Sequence, residues 1–321
     1  MRNFISVGDV QGSQGVEALI AKGLGYKQNP KLDETLGRGK RAGLVFFNPS
    51  LRTRLSTQLA AKNLGLEPIV LNAGSEGWSL EFQDGAVMNG QTVEHIKDAA
   101  PILGGYFDIL CVRSFPKFQD RNEDESDHVI RSIIRYSGVP VVSLESATRH
   151  PLQSLADLIT MTETFTEKRR PRVVLTWAPH IKAIPHCVAN SFAEWVRAWG
   201  KADFVYTAPK GYELSSGYVE GVPYTDQQEQ ALEGADFVYV KNWSSVAEYG
   251  KVLGEHPDWM LTEKSLRAAP AAKVMHCLPL RRNVELSDEI LDGPRSLLTQ
   301  MAMNRVWSAQ SVLGTILKDL K

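Results

Sequence analysis

Residues 42–71 read AGLVFFNPSLRTRLSTQLAAKNLGLEPIVL, and the spacing of apolar residues in this segment predicts the class of fold. A short apolar run at 42–47 predicts a strand, apolar residues at helical spacing predict a helix over 51–64, and the apolar run at 68–71 predicts a second strand. Strands with so few polar residues are typical of parallel sheets that helices cover on both faces. The stretch therefore predicts one strand, helix and strand of a parallel sheet.

The same alternation continues along almost the whole chain. Further strands are predicted at 107–113, 140–144, 172–177, 203–207, 235–240 and 273–278. Helices are predicted at 93–103, 128–136, 152–164, 188–199 and 304–320, and the polar tract 119–127 is predicted to be a solvated loop and helix start. Because 321 residues are about twice a typical domain length, we expect an α/β protein of two doubly wound parallel-sheet domains.

Charge and cysteine content exclude several classes of protein. The chain has 36 Lys and Arg residues against 37 Asp and Glu residues, and this net charge of -1 gives no electrostatic footprint for nucleic acid or an anionic membrane. Cys111, Cys187 and Cys277 are odd in number and far apart, which fits neither a disulfide framework nor paired metal ligands. No signal peptide and no stretch of roughly 18 apolar residues is present, so we expect a cytoplasmic protein.

The residues after the first strand have the composition of an anion site. In FFNPSLRTR, residues 46–54, a strand ends, proline stops it and Ser50 opens a helix. Free backbone N–H groups at a helix start attract anions, and Ser50, Arg52 and Thr53 add the hydrogen bonds that a phosphate needs. The alternative is an ordinary helix cap with two surface arginines.

Two further polar segments follow strands of the predicted sheets. Residues 148–153 contain His150 and Gln153, which can hydrogen-bond a carbonyl oxygen and an amide nitrogen beyond the carboxyl end of a strand. Residues 275–283 contain His276 and Cys277. Adjacent residues of a strand point to opposite faces, so His276 cannot easily serve Cys277 as a base, and a covalent cysteine mechanism is disfavoured.

Together, SxRTR, HPxQ and HCLP resemble the carbamoyltransferase family, which includes the aspartate and ornithine enzymes, over Phe46 to Arg305. Segments 115–118 (FPKF), 176–180 (TWAPH), 241–243 (KNW) and 280–283 (LRRN) look like the branch that acts on N-acylated ornithines. Ordinary ornithine enzymes read the free α-amino group with a Ser-Met-Gly segment, where this chain has Lys241 in residues 239–245. A lysine suits a carboxylate and repels an ammonium group.

The resemblance implies a site, an assembly and a division into domains. Phosphate would be held by Ser50, Leu51, Arg52 and Thr53, the carbamoyl group by Arg113, His150 and Gln153, and the site would be closed by Cys277, Leu278 and Arg305. Thr53, Arg113, His150 and Cys277 would be catalytic, and Glu145, His180, Lys241 and Arg281 would surround the acylornithine.

Trp78 resembles the residue that this branch lends to a neighbouring subunit of a homotrimer. The implied domains are 1–148 for carbamoyl phosphate, 149–300 for acylornithine, with a backbone knot, and 301–321, a helix that packs back on the first domain.

The acyl group is predicted from one loop, residues 88–95. Acetyl-type enzymes carry a glutamate where this chain has Val93, and a facing glutamate would repel and crowd the carboxylate of a succinyl arm. Acetyl-type enzymes also carry a lysine where this chain has Glu285. The resemblance therefore favours transfer from carbamoyl phosphate to N-succinylornithine in arginine biosynthesis, with no metal or organic cofactor.

Four alternatives stay open beside this hypothesis. Within the family they are N-acetylornithine and plain ornithine as the second substrate. A non-catalytic carbamoyltransferase-like binding protein would be expected to lose members of the three motifs, and none is lost. A nucleotide-binding dehydrogenase ranks last, because no G-x-G-x-x-G opens a helix after a strand.

Overall fold

Two parallel β-sheets, each with helices, form the core of the protein in a computed structural model that describes residues 1–320, apart from the side chain of Ser13. The chain divides into two units. Unit 1 contains residues 1–152 and the segment that begins at Arg305, and unit 2 contains residues 153–304. The predicted α/β class with parallel sheets is confirmed, and the backbone knot stays a prediction. Among residues 1–320, no helix is long and apolar enough to cross a membrane.

Unit 1 is built on a four-stranded parallel sheet in the order β2-β1-β5-β6. Its elements are α1 (Gly12–Gln28), β1 (Arg41–Phe46), α2 (Arg52–Asn63), β2 (Glu67–Asn72), β3 (Leu80–Glu81), β4 (Glu94–His95), α3 (Ile96–Tyr106), β5 (Ile109–Arg113), α4 (Arg121–Glu125), α5 (His128–Ser137) and β6 (Val141–Glu145). Phe46 pairs in register with Asn72 and Arg113, and Arg113 pairs with Glu145. The four strands therefore end level at one edge of the sheet.

Unit 2 is built on a five-stranded parallel sheet in the order β11-β10-β7-β8-β9. Its elements are α6 (Pro151–Thr164), which begins in unit 1, β7 (Arg172–Trp177), α7 (Cys187–Trp199), β8 (Asp203–Thr207), α8 (Ser216–Val219), β9 (Tyr224–Thr225), α9 (Gln228–Leu232), β10 (Phe237–Lys241), β11 (Lys273–Met275), α10 (Asp288–Leu291) and α11 (Leu298–Asp319), which continues into unit 1. Lys241 pairs in register with Trp177, so these two side chains also end neighbouring strands.

Some predicted boundaries were wrong, and each error has a local cause. Ser50 does not open a helix: α2 begins at Arg52, and its N-cap residue is Leu51, whose side chain makes no capping hydrogen bond. The helix predicted from residue 93 begins at Ile96, because Glu94 and His95 pair with β3 and the His95 ring accepts the N–H of Lys97. The polar tract 119–127 contains a short helix, which Asp120 caps by accepting two backbone N–H groups.

The C-terminal side of the chain shows two further corrections. Strand β11 ends at Met275 rather than at residue 278, because the Nδ1 atom of His276 accepts the backbone N–H of Leu278 at 2.9 Å and Leu278 has a positive φ of 52°. Helix α11 begins at Leu298, six residues before its predicted start. Within unit 1, the Ser311 hydroxyl of this helix donates to the Leu19 carbonyl of α1 at 2.8 Å.

Candidate active site

The carboxyl edge of the unit 1 sheet gathers the residues that the sequence predicts for carbamoyl phosphate. Between β1 and α2 the chain passes through Ser50, which is half-buried, and bends at Leu51, which is exposed. Arg52 is half-buried in the first turn of α2, and Thr53 beside it is buried. The first N–H groups of a helix have no partner inside the helix, so this turn has the backbone donors of an anion site.

Three buried side chains from distant parts of the chain meet beside this helix start. The guanidinium of Arg305, in α11, donates to the hydroxyl of Thr53 at 2.5 Å. The same Nη2 atom of Arg305 lies 3.3 Å from Nε2 of His150, which immediately precedes α6. The structure therefore brings together one residue from each of three separate predicted segments.

A buried ion pair joins this cluster. Arg113, at the end of β5, donates to the carboxylate of Glu145, at the end of β6, and the guanidinium of Arg113 lies 4.3 Å from the ring centre of Phe115. The Oε2 atom of Glu145 is 3.4 Å from Nε2 of His150. Glu145, predicted for the second substrate, thus lies among the residues predicted for the first. The cluster around His150 thus holds two guanidinium groups, of Arg113 and Arg305, and the one carboxylate of Glu145, which leaves a surplus of positive charge.

The surroundings of His150 determine its protonation state. Burial, followed by the positive charges of Arg305 and Arg113, holds the pKa of His150 well below its usual range, so the ring is neutral at pH 7. With Nε2 facing the Arg305 guanidinium as an acceptor, the proton of the neutral ring is on Nδ1. Nδ1 is buried and meets no hydrogen-bond partner within residues 1–320. The ring thus has a free N–H to donate.

Two residues that the sequence did not single out hold the strand-end loops in place. The Oδ1 atom of Asn48 accepts the backbone N–H of Phe115 at 2.7 Å and so joins the ends of β1 and β5. Asp127 accepts the hydroxyls of Ser146 (at 2.9 Å) and Thr148, which lead to His150. Sequence analysis missed Asp127 because it ends the polar tract 119–127, whose composition predicts a solvated loop. A cavity of about 320 Å³ opens beside these loops.

The side chains of Trp78 and Val93 are exposed on the surface of unit 1. The Trp78 ring is 60% exposed, and its Nε1 atom donates to Oε2 of Glu94 at 2.8 Å. Val93 is 64% exposed, and its backbone N–H donates to the Ser79 carbonyl at 2.9 Å. The loop is therefore held by its own hydrogen bonds, and both side chains face away from the core.

In unit 2, the predicted second-substrate residue Lys241 is buried and lies near the charge of Glu285. Glu285 accepts the backbone N–H of Arg281 at 2.7 Å and lies 3.2 Å from Nε2 of His276. Burial alone would raise the pKa of Glu285, but the hydrogen bond from His276 and the nearby positive charges hold this pKa below its usual value. Glu285 therefore fixes the loop that carries Arg281.

The structure also places the remaining predicted residues of unit 2. Both ring nitrogens of His276 are engaged, with Leu278 and with Glu285, so His276 is no base for Cys277. The Nδ1 atom of His180 accepts the backbone N–H of Lys182 at 3.1 Å, and the Arg281 side chain is exposed. Gln153 is buried at the start of α6 and donates to Asp157.

A larger cavity, of about 640 Å³, lies at the opposite edge of the unit 2 sheet, where β7 and β8 begin. Its three arginines, Arg170, Arg172 and Arg197, each donate to a backbone carbonyl of the surrounding segments. None of the predicted site residues lines it. The hydrogen bonds to the carbonyls hold the three guanidinium groups in the wall of the cavity.

Comparison with known families identifies the family of the chain. Residues 2–163 match the carbamoyl-P binding domain of aspartate/ornithine carbamoyltransferase, and residues 186–316 match its Asp/Orn binding domain. The chain belongs to the aspartate/ornithine carbamoyltransferase family. It is therefore an enzyme of a family that binds carbamoyl phosphate and an ornithine-type substrate.

Individual carbamoyltransferases are similar over their full length. The chain is 42% identical to N-succinylornithine carbamoyltransferase of Bacteroides thetaiotaomicron, with 100% of both chains covered. It is 33% identical to N-acetylornithine carbamoyltransferase of Xanthomonas campestris pv. campestris, with 98% of both covered. One similar solved structure is a mutant of N-acetyl-L-ornithine transcarbamylase with valine in place of a glutamate, complexed with carbamyl phosphate and N-succinyl-L-norvaline. It superposes on this chain with a TM-score of 0.92 at 33% identity, and the match covers 98% of this chain and 100% of that one.

Proposed function

We propose that this carbamoyltransferase transfers the carbamoyl group of carbamoyl phosphate to the δ-amine of N2-succinyl-L-ornithine. The products are N2-succinyl-L-citrulline and phosphate. The enzyme would act in arginine biosynthesis through acylated intermediates, in the cytoplasm. Full-length similarity to N-succinylornithine carbamoyltransferases supports this substrate.

Unit 1 supplies groups suited to carbamoyl phosphate, which carries about two negative charges at neutral pH. The helix start at Arg52 offers backbone N–H groups for the phosphate, and Ser50 and Leu51 directly precede it. Arg113, His150 and Thr53 are proposed to bind the carbonyl oxygen. The surplus positive charge of Arg113 and Arg305 balances the charge of the donor.

The reaction follows from these placements. The δ-amine attacks the carbamoyl carbon, and the carbonyl electron pair moves onto oxygen to form a tetrahedral intermediate. The C–O bond to phosphate then breaks, phosphate leaves with the electron pair, and the amine proton passes to the departing phosphate. The free Nδ1–H of His150 makes this residue a donor to the oxyanion rather than a base, and such preorganised donors contribute about 10²–10³ each to the rate.

The nucleophile must lose a proton before it attacks. A lysine-like amine has an ordinary pKa of about 10.4, so only a few molecules in 10⁴ are neutral at pH 7. Fixed positive charge nearby favours the neutral amine. Lys241 and Arg281 are proposed to bind the carboxylates of the acylornithine, with His180 beside them. Cys277 and Leu278 are proposed to close the site, with the Leu278 carbonyl oriented toward the amine.

The observation that carries the acyl assignment is the apolar, exposed side chain of Val93. No like charge from this residue meets the carboxylate of a succinyl arm. The relative whose glutamate is replaced by valine was crystallised with N-succinyl-L-norvaline, which supports the same physical argument. Because Glu285 is engaged with His276 and the Arg281 backbone, we rest the assignment on Val93 alone.

We propose a homotrimer in which Trp78 enters the phosphate site of the neighbouring subunit. Leu51, Leu55 and Leu59 are exposed at four-residue spacing and form one apolar face at α2, and Ile69 of the edge strand β2 is also exposed. Adjacent exposed apolar side chains are typical of an interface between subunits. The exposed ring of Trp78, held by Glu94, is suited to contact a second copy of this chain.

The test of the proposed function is a side-by-side assay of three amines with carbamoyl phosphate. The amines are ornithine, N-acetylornithine and N-succinylornithine, each assayed for its citrulline-type product at equal concentration. We expect product from N-succinylornithine at a kcat/KM at least about tenfold above the others, the discrimination that one repelled or unpaired group supports. A higher kcat/KM for N-acetylornithine would refute the acyl assignment, and no product from any amine would refute carbamoyl transfer.

A further inference from the structure

The cavity of about 640 Å³ where β7 and β8 begin, called the basic cavity below, has the size of a small-molecule site. Such sites in proteins occupy about 300–1,000 Å³. Its wall combines the guanidinium groups of Arg170, Arg172 and Arg197 with apolar side chains of β8 and of the segment that leads into β9. All residues that line it belong to unit 2, and a ligand here would use residues that the proposed carbamoyl transfer does not.

The wall of the basic cavity holds more positive than negative charge. Its charged groups are three guanidinium groups and the two carboxylates of Asp203 and Glu220. The Asp203 carboxylate lies 3.0 Å from Nε of Arg170. The Glu220 side chain is 86% exposed, and its carboxylate is 3.7 Å from a guanidinium nitrogen of Arg197, so this pair contributes little. One guanidinium group is therefore loosely paired, and a third remains.

That third guanidinium group, of Arg172, has no counter-ion. Arg172 is half-buried, and its side chain donates to the Ala231 carbonyl at 3.3 Å without forming an ion pair within residues 1–320. Its Nε atom is buried and meets no acceptor in the same part of the chain. A positive charge partly removed from water without a negative partner is unfavourable. Because the charge is delocalised over the guanidinium group, an anion in the cavity would neutralise it.

A fixed aromatic ring lines the same cavity. The ring of Tyr224 packs on the ring of Tyr206, with ring centres 5.0 Å apart, and its hydroxyl donates to the Ala208 carbonyl at 3.1 Å. These contacts hold the ring in one orientation. An aromatic face combined with a few polar groups is typical of a site for a ligand with a flat apolar body.

We propose that the basic cavity binds a small aromatic dicarboxylate, with one carboxylate on Arg172, the other on Arg197 and the ring against Tyr224. A guanidinium group presents parallel N–H donors that match the two oxygens of a carboxylate. The carbonyl hydrogen bonds of Arg172 and Arg197 leave further N–H donors for this contact. The inference goes beyond carbamoyl transfer, because the site needs no residue of that reaction.

Two probes of the same shape test the inference. Benzene-1,3-dicarboxylate carries two negative charges, and benzene-1,3-dicarboxamide has the same ring and substituents of similar size without charge. Their dissociation constants are measured by ligand-observed NMR titration of the full chain at neutral pH and low ionic strength, where screening is weak. The unmodified protein is expected to bind the dicarboxylate at least about tenfold more tightly than the diamide, the effect of one charge-assisted contact.

Variants locate the bound probe. Arg172→Met keeps the length of the side chain without its charge and should weaken binding of the dicarboxylate at least about fivefold. Lys201→Met is the matched control, because Lys201 is exposed between the lining residues Gly200 and Ala202 without lining the cavity itself. It should keep the dissociation constant within about twofold, and so should Arg52→Ala, which alters the proposed phosphate site.

Arg197→Met keeps the test decisive if Arg172→Met does not fold, as judged by circular dichroism, and should weaken binding at least about threefold. Equal dissociation constants for the two probes, or an unchanged dissociation constant in the folded arginine variants of the cavity, would overturn the inference. Equal weakening in Lys201→Met would show a diffuse charge effect, and loss of binding in Arg52→Ala alone would show binding at the phosphate site. Either of these outcomes would also overturn it. Carbamoyl transfer can be observed whichever result is obtained.

Discussion

The guanidinium of Arg305 lies 3.3 Å from the Nε2 atom of His150, although 155 residues separate them in the chain. Both side chains are buried. This contact, with burial and with the charge of Arg113, makes protonation of His150 unfavourable in the folded state. A histidine with these neighbours therefore lowers stability in acid and leaves the pH dependence of the reaction above neutral pH to another group.

Stability should fall in acid partly because of His150. Its pKa is lowered in the folded state, so below about pH 6.5 the unfolded chain takes up a proton that the folded chain does not. The folded state then loses up to about 1.4 kcal/mol per pH unit until pH reaches the folded pKa. We expect Tm of the unmodified protein to drop by roughly 2–5 °C more than Tm of His150→Gln between about pH 7.5 and 5.5. Equal drops in thermal scans would argue against a buried neutral imidazole.

The rate should rise from neutral toward alkaline pH. His150 is already neutral, so the group that limits the reaction is the substrate amine. Its neutral fraction grows about tenfold per pH unit below its pKa. We expect kcat/KM for N-succinylornithine to increase by about this factor per unit between about pH 6 and 9. A flat profile with chemistry shown to be rate-limiting would contradict the mechanism.

Arg52→Ala should weaken binding of carbamoyl phosphate and leave the fold intact. Arg52 lies in the first turn of α2, where its charge adds to the backbone donors of the helix start. We expect KM for carbamoyl phosphate to rise by at least about 10²-fold, the value of a charge-assisted hydrogen bond pair. Arg54→Ala is the matched control, since Arg54 is exposed in the same turn. Activity of Arg52→Ala within a few-fold of the unmodified enzyme would remove the phosphate role.

Val93→Glu should shift the preference from succinyl toward acetyl. A carboxylate at this exposed position would repel the carboxylate of the succinyl arm and leave the neutral acetyl group unaffected. We expect the ratio of kcat/KM for the two acylornithines to move by about tenfold or more. Val87→Glu, at an 80% exposed site on the approach to the same loop, is the control for added charge. An unchanged ratio in Val93→Glu would end the specificity argument.

If each active site is shared between two subunits, two inactive variants should regain activity when they assemble together. Arg52→Ala lacks a residue of its own site, and Trp78→Ala lacks the residue proposed for its neighbour's site. In a trimer with both variants, one site of the three has an intact pair, so co-expression at equal levels should recover about a quarter of the unmodified activity. The purified assembly is then assayed beside each single variant. If mixed assemblies, identified by two different tags, are no more active than the single variants, Trp78 does not serve a neighbouring subunit.

Local patterns predicted much of the fold. The apolar runs at β7 and β8 match their strands residue for residue, because a strand buried on both faces has a composition unlike that of its flanks. The placement of SxRTR and of His150 beyond strand ends also followed from the strand pattern. The end of β11 and the start of α3 did not, because the first depends on the hydrogen bond from Leu278 to the His276 ring and the second on the pairing of residues 94–95 with β3.

The α/β class and the polar segments at strand ends could be predicted from the sequence, because the alternation of apolar runs is a local property. Which side chains meet depends on the folded chain: Thr53 with Arg305, Arg113 with Glu145, and Glu285 with His276. The hydrogen bonds from Ser146 and Thr148 to Asp127 and the neutral state of His150 also depend on the folded chain. These outcomes depend on strand register and burial, which bring together residues that are far apart in the chain and set the protonation of groups removed from water.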